Sequence, residues 1–130
     1  MNKQKNKTYT KDPLYNWLVA EIQRVFSMLI DSFSFTLVGV EADMRGCWLT
    51  YECDDIKIQV WAEMGGRPEV DVVVKGVRRS LNSVIAERWP ESALPPRPQY
   101  VDLENEQKDF TVVLNQYASA LREFIATGSV

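Results

Sequence analysis

Histidine is absent from the 130-residue sequence, and cysteine occurs only twice. The lack of histidine removes the commonest general base, the commonest transition-metal ligand and any Ser-His or Cys-His nucleophile pair. Two cysteines are also too few for a structural zinc site of the Cys/His kind within one chain. Cys47 and Cys53 fall on one predicted strand, roughly 20 Å apart at about 3.3 Å per residue, so we expect free thiols and no disulfide.

Long apolar runs are missing as well, because no segment approaches the roughly 20 residues that cross a bilayer. The N-terminus is polar and lysine-rich with no apolar block after it, unlike a secretory signal. Gly65-Gly66 lies between predicted strands, where a turn is a simpler interpretation than a phosphate-binding loop. These absences predict a cytoplasmic protein that needs no membrane, no cofactor and no metal.

The charge is distributed unevenly along the chain. Lysines at positions 3, 5, 7 and 11 make the start basic, so residues 12–130 carry 11 basic and 18 acidic side chains, a net charge of −7. We predict a flexible basic tail at residues 1–11 and a single α+β domain at residues 12–130. An acidic body argues against nucleic-acid binding and is compatible with a basic protein partner, although solubility alone would also explain it.

Alternation of apolar and polar residues predicts four β-strands between Phe33 and Gly76. The apolar parity changes near Gly39, which predicts a β-bulge there. Asp54-Asp55 lies in a turn between the second and third strands, and its composition favours a loop longer than two residues. The register this implies pairs Glu52 with Lys57, Thr50 with Gln59, and Trp48 with Trp61.

Helical periodicity flanks the strands on both sides. One helix of about five turns is predicted from Asp12-Pro13 to near Asp31, a short one follows a Ser80 cap, and a long one runs from about Leu103 to Gly128. The prolines between residues 95 and 98 predict an extended connection. The predicted fold is α+β, a four-stranded antiparallel meander with the N-terminal and C-terminal helices packed on one face.

Tryptophan gives the most informative functional signal. Trp17 and Trp89 belong to helix stripes and are predicted core residues, whereas Trp48 and Trp61 fall on the polar-patterned face of the sheet. Large aromatic residues on such a face are typical of interfaces, unless a helix or the proline-rich connection covers them. The predicted partner-binding residues are Trp48, Trp61, Glu52, Lys57 and Asp71.

Other chemistries receive weaker support. Asp54 and Asp55 beside Glu52 could hold a divalent cation, but a solvated turn is the simpler interpretation. Cys53 has no obvious activating base, so a buried thiol is preferred over a nucleophile. We therefore assign no catalytic and no metal-binding residue.

Three segments carry a resemblance to a known group. The N-terminal amphipathic helix, the Trp48-Leu49-Thr50-Tyr51-Glu52 strand and the C-terminal helix with Leu114, Tyr117-Ala118 and Leu121 resemble small uncharacterised bacterial α+β proteins of the toxin-immunity type. Such proteins bind and block a cognate toxin, so the resemblance implies a non-enzymatic inhibitor of a toxin, and the acidic body is compatible with a basic one. Two alternatives stay open: a secretion-chaperone-like homodimer that binds an effector segment, and a small-ligand-binding or enzymatic domain using carboxylates, Tyr51 or Arg67.

Overall fold

The computed structural model describes residues 13–43, 46–63, 67–92 and 103–127. The predicted basic tail and the proline-rich connection lie outside these ranges. The class is α+β, as predicted. The elements in chain order are α1 (Pro13–Val25), α2 (Ser27–Phe33), β1 (Thr36–Ala42), β2 (Gly46–Cys53), β3 (Ile56–Glu63), β4 (Glu69–Val74), β5 (Val77–Ser80), α3 (Leu81–Arg88), a 3-10 turn (Pro90–Ser92) and α4 (Leu103–Ala126).

The strands form one antiparallel sheet in the order β1-β2-β3-β4-β5, so the meander has five strands and the prediction of four was wrong. The missed strand, β5, is short and contains two adjacent arginines, which hide any alternation. Lys75 and Gly76 form the two-residue turn that enters it. Both have positive φ, 51° and 84°, which suits the twist of a tight hairpin.

The predicted register of β2 and β3 is confirmed, with Trp48 opposite Trp61, Thr50 opposite Gln59 and Glu52 opposite Lys57. The bulge is confirmed too, because the β1–β2 pairing shifts between Leu37 and Gly39. These two findings fix which side chains share a face.

Two details of the strand ends differ from prediction. Cys53 pairs directly with Ile56, so the turn at Asp54-Asp55 has two residues and the expected longer loop was wrong. Asp54 takes a φ of 53°, a conformation that aspartate tolerates better than most residues. The first strand begins at Thr36 because α2 continues to Phe33.

The helices follow the predicted segments, with one interruption. The single N-terminal helix is divided at Phe26 into α1 and α2. The Ser27 hydroxyl donates to the Arg24 carbonyl at 3.0 Å, a bond that competes with the helical ladder and favours a bend. At α3 the predicted cap is present, because Ser80 Oγ accepts from the Ser83 amide.

The core lies between one face of the sheet and the helices. Helix α1 packs on β2 and α4, and α3 packs on β4, β5 and α4. The Trp17 and Phe110 rings, 5.7 Å apart, join α1 to α4. Within the described residues, no helix is both long and apolar enough to cross a membrane. The core face of the sheet consists of buried side chains, among them Val40, Ala42, Cys47, Leu49, Tyr51, Ile58, Val60, Ala62, Val70 and Val72.

Candidate functional site

The opposite side of the sheet, here called the open face, carries the side chains that alternate with the core face. The strand register arranges them in three rows across the sheet. The tryptophan row is Glu41, Trp48, Trp61 and Glu69; the middle row is Gly39, Thr50, Gln59, Asp71 and Ser80; the charged row is Thr36, Glu52, Lys57, Val73 and Arg78. All five predicted partner-binding residues therefore lie on one face.

The tryptophan row places two large aromatic side chains next to each other on adjacent strands. Trp48 and Trp61 are both partly exposed, whereas Glu41, opposite Trp48 on β1, is exposed. By contrast, Trp17 and Trp89 pack against the core, as predicted. The described helices lie on the core face, so none of them covers Trp48 or Trp61; the proline-rich connection lies outside the described residues.

The predicted charged residues lie toward the other end of the open face, and their charges are paired. Lys57 Nζ is 3.6 Å from Glu52 Oε2. Arg78 Nη1 donates to Asp71 at 2.8 Å and to Gln59 Oε1 at 3.1 Å. Arg78 was missed by the sequence analysis because it belongs to the missed strand β5.

A shallow depression of about 290 Å³ opens on this face beside Trp48. It exists because Gly39 contributes no side chain opposite Thr50, and a Cβ placed on Gly39 would meet no atom within 4 Å. Sequence reasoning located the bulge but did not predict a cavity. The described residues lining the depression are Gly39, Glu41, Asp43, Trp48, Thr50 and Gln59.

The acidic rim of this depression is held by local backbone bonds. Asp43 Oδ1 accepts from the Gly46 amide at 3.2 Å, and the Asp43 amide donates to the Gly46 carbonyl at 2.9 Å. Glu41 lies near the end of the paired part of β1, directly opposite Trp48. The described lining thus combines two carboxylates, an indole and two uncharged polar side chains, with no basic residue among them.

Cys47, Tyr51 and Arg67 are each buried or held by a partner. Burial raises the pKa of the Cys47 thiol to about 12, which leaves it protonated and a poor nucleophile at neutral pH. Burial also raises the pKa of Tyr51, which is fully enclosed on the core face. Arg67 bonds both carboxylate oxygens of Asp109 at 3.2 Å. Among the residues described, no group of three or more His, Cys, Asp and Glu could hold a metal ion.

The chain matches no protein-family model, and no curated protein or solved structure is significantly similar to it. The open face and the depression within it are the features of the described structure that point to a function.

Proposed function

We propose that the chain is a non-enzymatic protein-binding module that uses the open face to bind its partner. The observation that carries this proposal is the side-by-side placement of Trp48 and Trp61 on the face that the described helices leave uncovered. Large aromatic side chains of this kind contribute most of the free energy of many protein interfaces. A surface whose only role was solubility would gain nothing from them.

The charge of the module favours a basic partner. Residues 12–130 carry a net charge of −7, and the tryptophan row is flanked on both sides by glutamates. Opposite charges raise the association rate and orient the encounter. Together with the resemblance to proteins of the toxin-immunity type, this charge supports an inhibitor that covers the active surface of a basic toxin.

The experiment begins with the tagged protein purified gently from its own cells, followed by identification of every chain that co-elutes in stoichiometric amount. The affinity of the purified partner is then measured by calorimetry for the wild type and for the Trp48→Ala/Trp61→Ala double variant. We expect the double variant to bind at least about 2 kcal/mol more weakly, close to 30-fold, as replacement of two hot-spot aromatics predicts. Circular dichroism checks that the variant is folded.

A matched control tests whether any loss of exposed apolar area has the same effect. Ile30 and Val112 are 45% and 55% exposed on the helices, away from the open face. The Ile30→Ala/Val112→Ala variant should bind with wild-type affinity. An unchanged affinity in the tryptophan double variant would contradict the proposal, and single Trp→Ala variants replace it should the double variant fail to fold.

The secretion-chaperone alternative has one structural observation in its favour. An apolar groove of about 300 Å³ lies beside the edge strand β5, between Val74 and Phe124, and Val77 at its rim is 64% exposed. An edge strand with apolar surroundings can accept an extended segment or a second copy. This alternative requires a homodimer, so a monomeric mass in analytical ultracentrifugation at micromolar concentration would contradict it.

A further inference from the structure

The depression beside Trp48 has the composition of a binding site for one basic side chain. We call this site, lined by Glu41, Trp48 and the space at Gly39, the seat. Glu41 lies directly across from the Trp48 indole in the β1–β2 register, and Asp43 supplies a second carboxylate on the same side of β1. An arginine guanidinium is planar, so it can stack on an indole while it donates two parallel hydrogen bonds to a carboxylate. Both requirements meet in this depression.

The size and shape of the depression support a single side chain and not a metabolite. Its volume of about 290 Å³ lies just below the roughly 300–1,000 Å³ of small-molecule pockets, and it is shallow and not enclosed. The missing side chain at Gly39 creates the space, and Thr50 and Gln59 are part of the lining. Gln59 is held in place by its bond from Arg78.

The charges of the open face place the seat at one end. Lys57 and Arg78, two cations of the open face, pair with Glu52 and Asp71 in and beside the charged row. Glu41 at the depression has no basic residue among the described lining. The exposed Glu41 carboxylate beside Trp48 therefore favours the entry of a cation there.

We infer that this depression receives an arginine side chain of the protein partner, stacked on Trp48 and paired with Glu41. The inference rests on the proposed function, because it specifies where on the open face the partner's basic group binds. It also distinguishes this end of the face from the charged row, which contains the basic residues Lys57 and Arg78.

The probe is an acetylated and amidated hexa-arginine peptide, with the uncharged hexa-citrulline peptide as an isosteric comparison. Binding is followed by NMR titration of the 15N-labelled protein, using the Trp48 indole N–H and the Gly39 and Thr50 amides. We expect a saturable shift of these signals with hexa-arginine and no saturable shift with hexa-citrulline. Equal shifts with both peptides would overturn the inference, because charge would then play no part.

Two variants test the seat itself. Glu41→Gln removes the paired charge, and the loss of a charge-assisted bond predicts about tenfold weaker binding of hexa-arginine. Gly39→Ile fills the depression without changing the charge, and the open space around the Cβ position of residue 39 indicates that the fold accommodates it. We expect Gly39→Ile to remove the saturable shift of the Trp48 indole.

Matched controls outside the depression separate the seat from general attraction to an acidic protein. Asp31→Asn removes one negative charge from the exposed surface of α2, and Val38→Ile adds a methylene group to β1 outside the depression. Both should change hexa-arginine affinity by less than about twofold, as surface changes away from a contact do. Equal weakening by Glu41→Gln and Asp31→Asn, or unchanged binding in Gly39→Ile, would overturn the inference.

The same variants distinguish this inference from the proposed function once the partner is in hand. Should the tryptophan double variant lose the partner while Glu41→Gln and Gly39→Ile retain full affinity, the open face remains the binding surface and the arginine seat is wrong. Should all of these variants bind normally, both proposals fail.

Discussion

The two faces of the sheet are made by the same strands, yet they obey different constraints. On β2, Leu49 is completely buried while its neighbour Thr50 remains partly exposed. The core face is a continuous set of aliphatic and aromatic side chains, as the burial of apolar area requires. The open face is free of that requirement, so its two tryptophans and its empty position at Gly39 need another explanation. Binding supplies one.

The largest effect on stability is expected from a substitution on the core face that leaves the open face unchanged. Leu49→Ala should lower the free energy of unfolding by about 2–5 kcal/mol, because it removes buried methyl groups and leaves a cavity. Thr50→Ala, one residue away on the open face, should change it by about 0.5 kcal/mol or less. Urea unfolding followed by tryptophan fluorescence measures both. Equal losses would show that the open face is packed against another part of the chain.

This contrast also explains which features could be predicted from the sequence. The alternation of apolar and polar residues marks the core face directly. Placing Glu52 opposite Lys57 across the Asp54-Asp55 turn predicted the β2–β3 register. Strand β5 was missed because four residues with two arginines carry no periodic signal, although its backbone pairs with β4 regardless of side chains. The break at Phe26 was missed because helical periodicity continues through it.

The proposed binding surface could be predicted only in part, for a related physical reason. Parity placed Trp48 and Trp61 together on one face. The depression at Gly39 is lined by side chains from three strands. Which of these side chains are neighbours depends on the strand register, and the sequence of one strand does not specify it. The same holds for Arg78, whose pairing with Asp71 required β5.

A second prediction concerns a polar group that is buried on the core face without a hydrogen bond. The Tyr51 hydroxyl is enclosed and has no partner within the described part of the chain, while its ring lies 6.5 Å from that of Phe26. An unsatisfied buried hydroxyl costs about 1–3 kcal/mol. Tyr51→Phe should therefore raise the free energy of unfolding by about 1 kcal/mol.

Thermal and urea unfolding of Tyr51→Phe give the measurement, with wild-type protein in the same buffer. The variant keeps the ring and its packing, so the difference reports the hydroxyl alone. A lower free energy of unfolding for Tyr51→Phe would mean that the hydroxyl is hydrogen-bonded in solution. The core face would then contain a hydrogen-bonded polar group, and its contrast with the open face would be weaker.

The helix layer behind the core face provides a third prediction, and it depends on pH. Thr111 Oγ1 of α4 donates to Glu21 Oε2 of α1 at 2.5 Å, and Arg24 donates to both oxygens of the same carboxylate. These bonds, the one from Arg24 first, hold the pKa of Glu21 below its ordinary value against the opposing effect of burial. The carboxylate is therefore more stable as an anion in the folded state.

The sign of the pH dependence follows from that lowered pKa. The stabilisation is fully present above the pKa that Glu21 has in the unfolded chain, and it is lost as the pH falls through the lower folded pKa. Glu21→Gln should flatten the fall in unfolding free energy below about pH 5. Thr111→Val should cost about 0.5–1.5 kcal/mol at neutral pH. If Glu21→Gln left the dependence of the unfolding free energy on pH unchanged, the role given to Glu21 would be contradicted.

The smallest effect is expected on the open face itself, in the Glu52–Lys57 pair. Both side chains are nearly half exposed and their closest atoms are 3.6 Å apart, so a double-mutant cycle with Glu52→Gln and Lys57→Met should give a coupling of about 0.2–1 kcal/mol that decreases with added salt. A coupling this weak leaves both charges able to exchange partners at little cost, as a binding surface requires. A salt-independent coupling above about 2 kcal/mol would mean that the pair is part of the fold, and the charged row would then be a poor place to look for partner contacts.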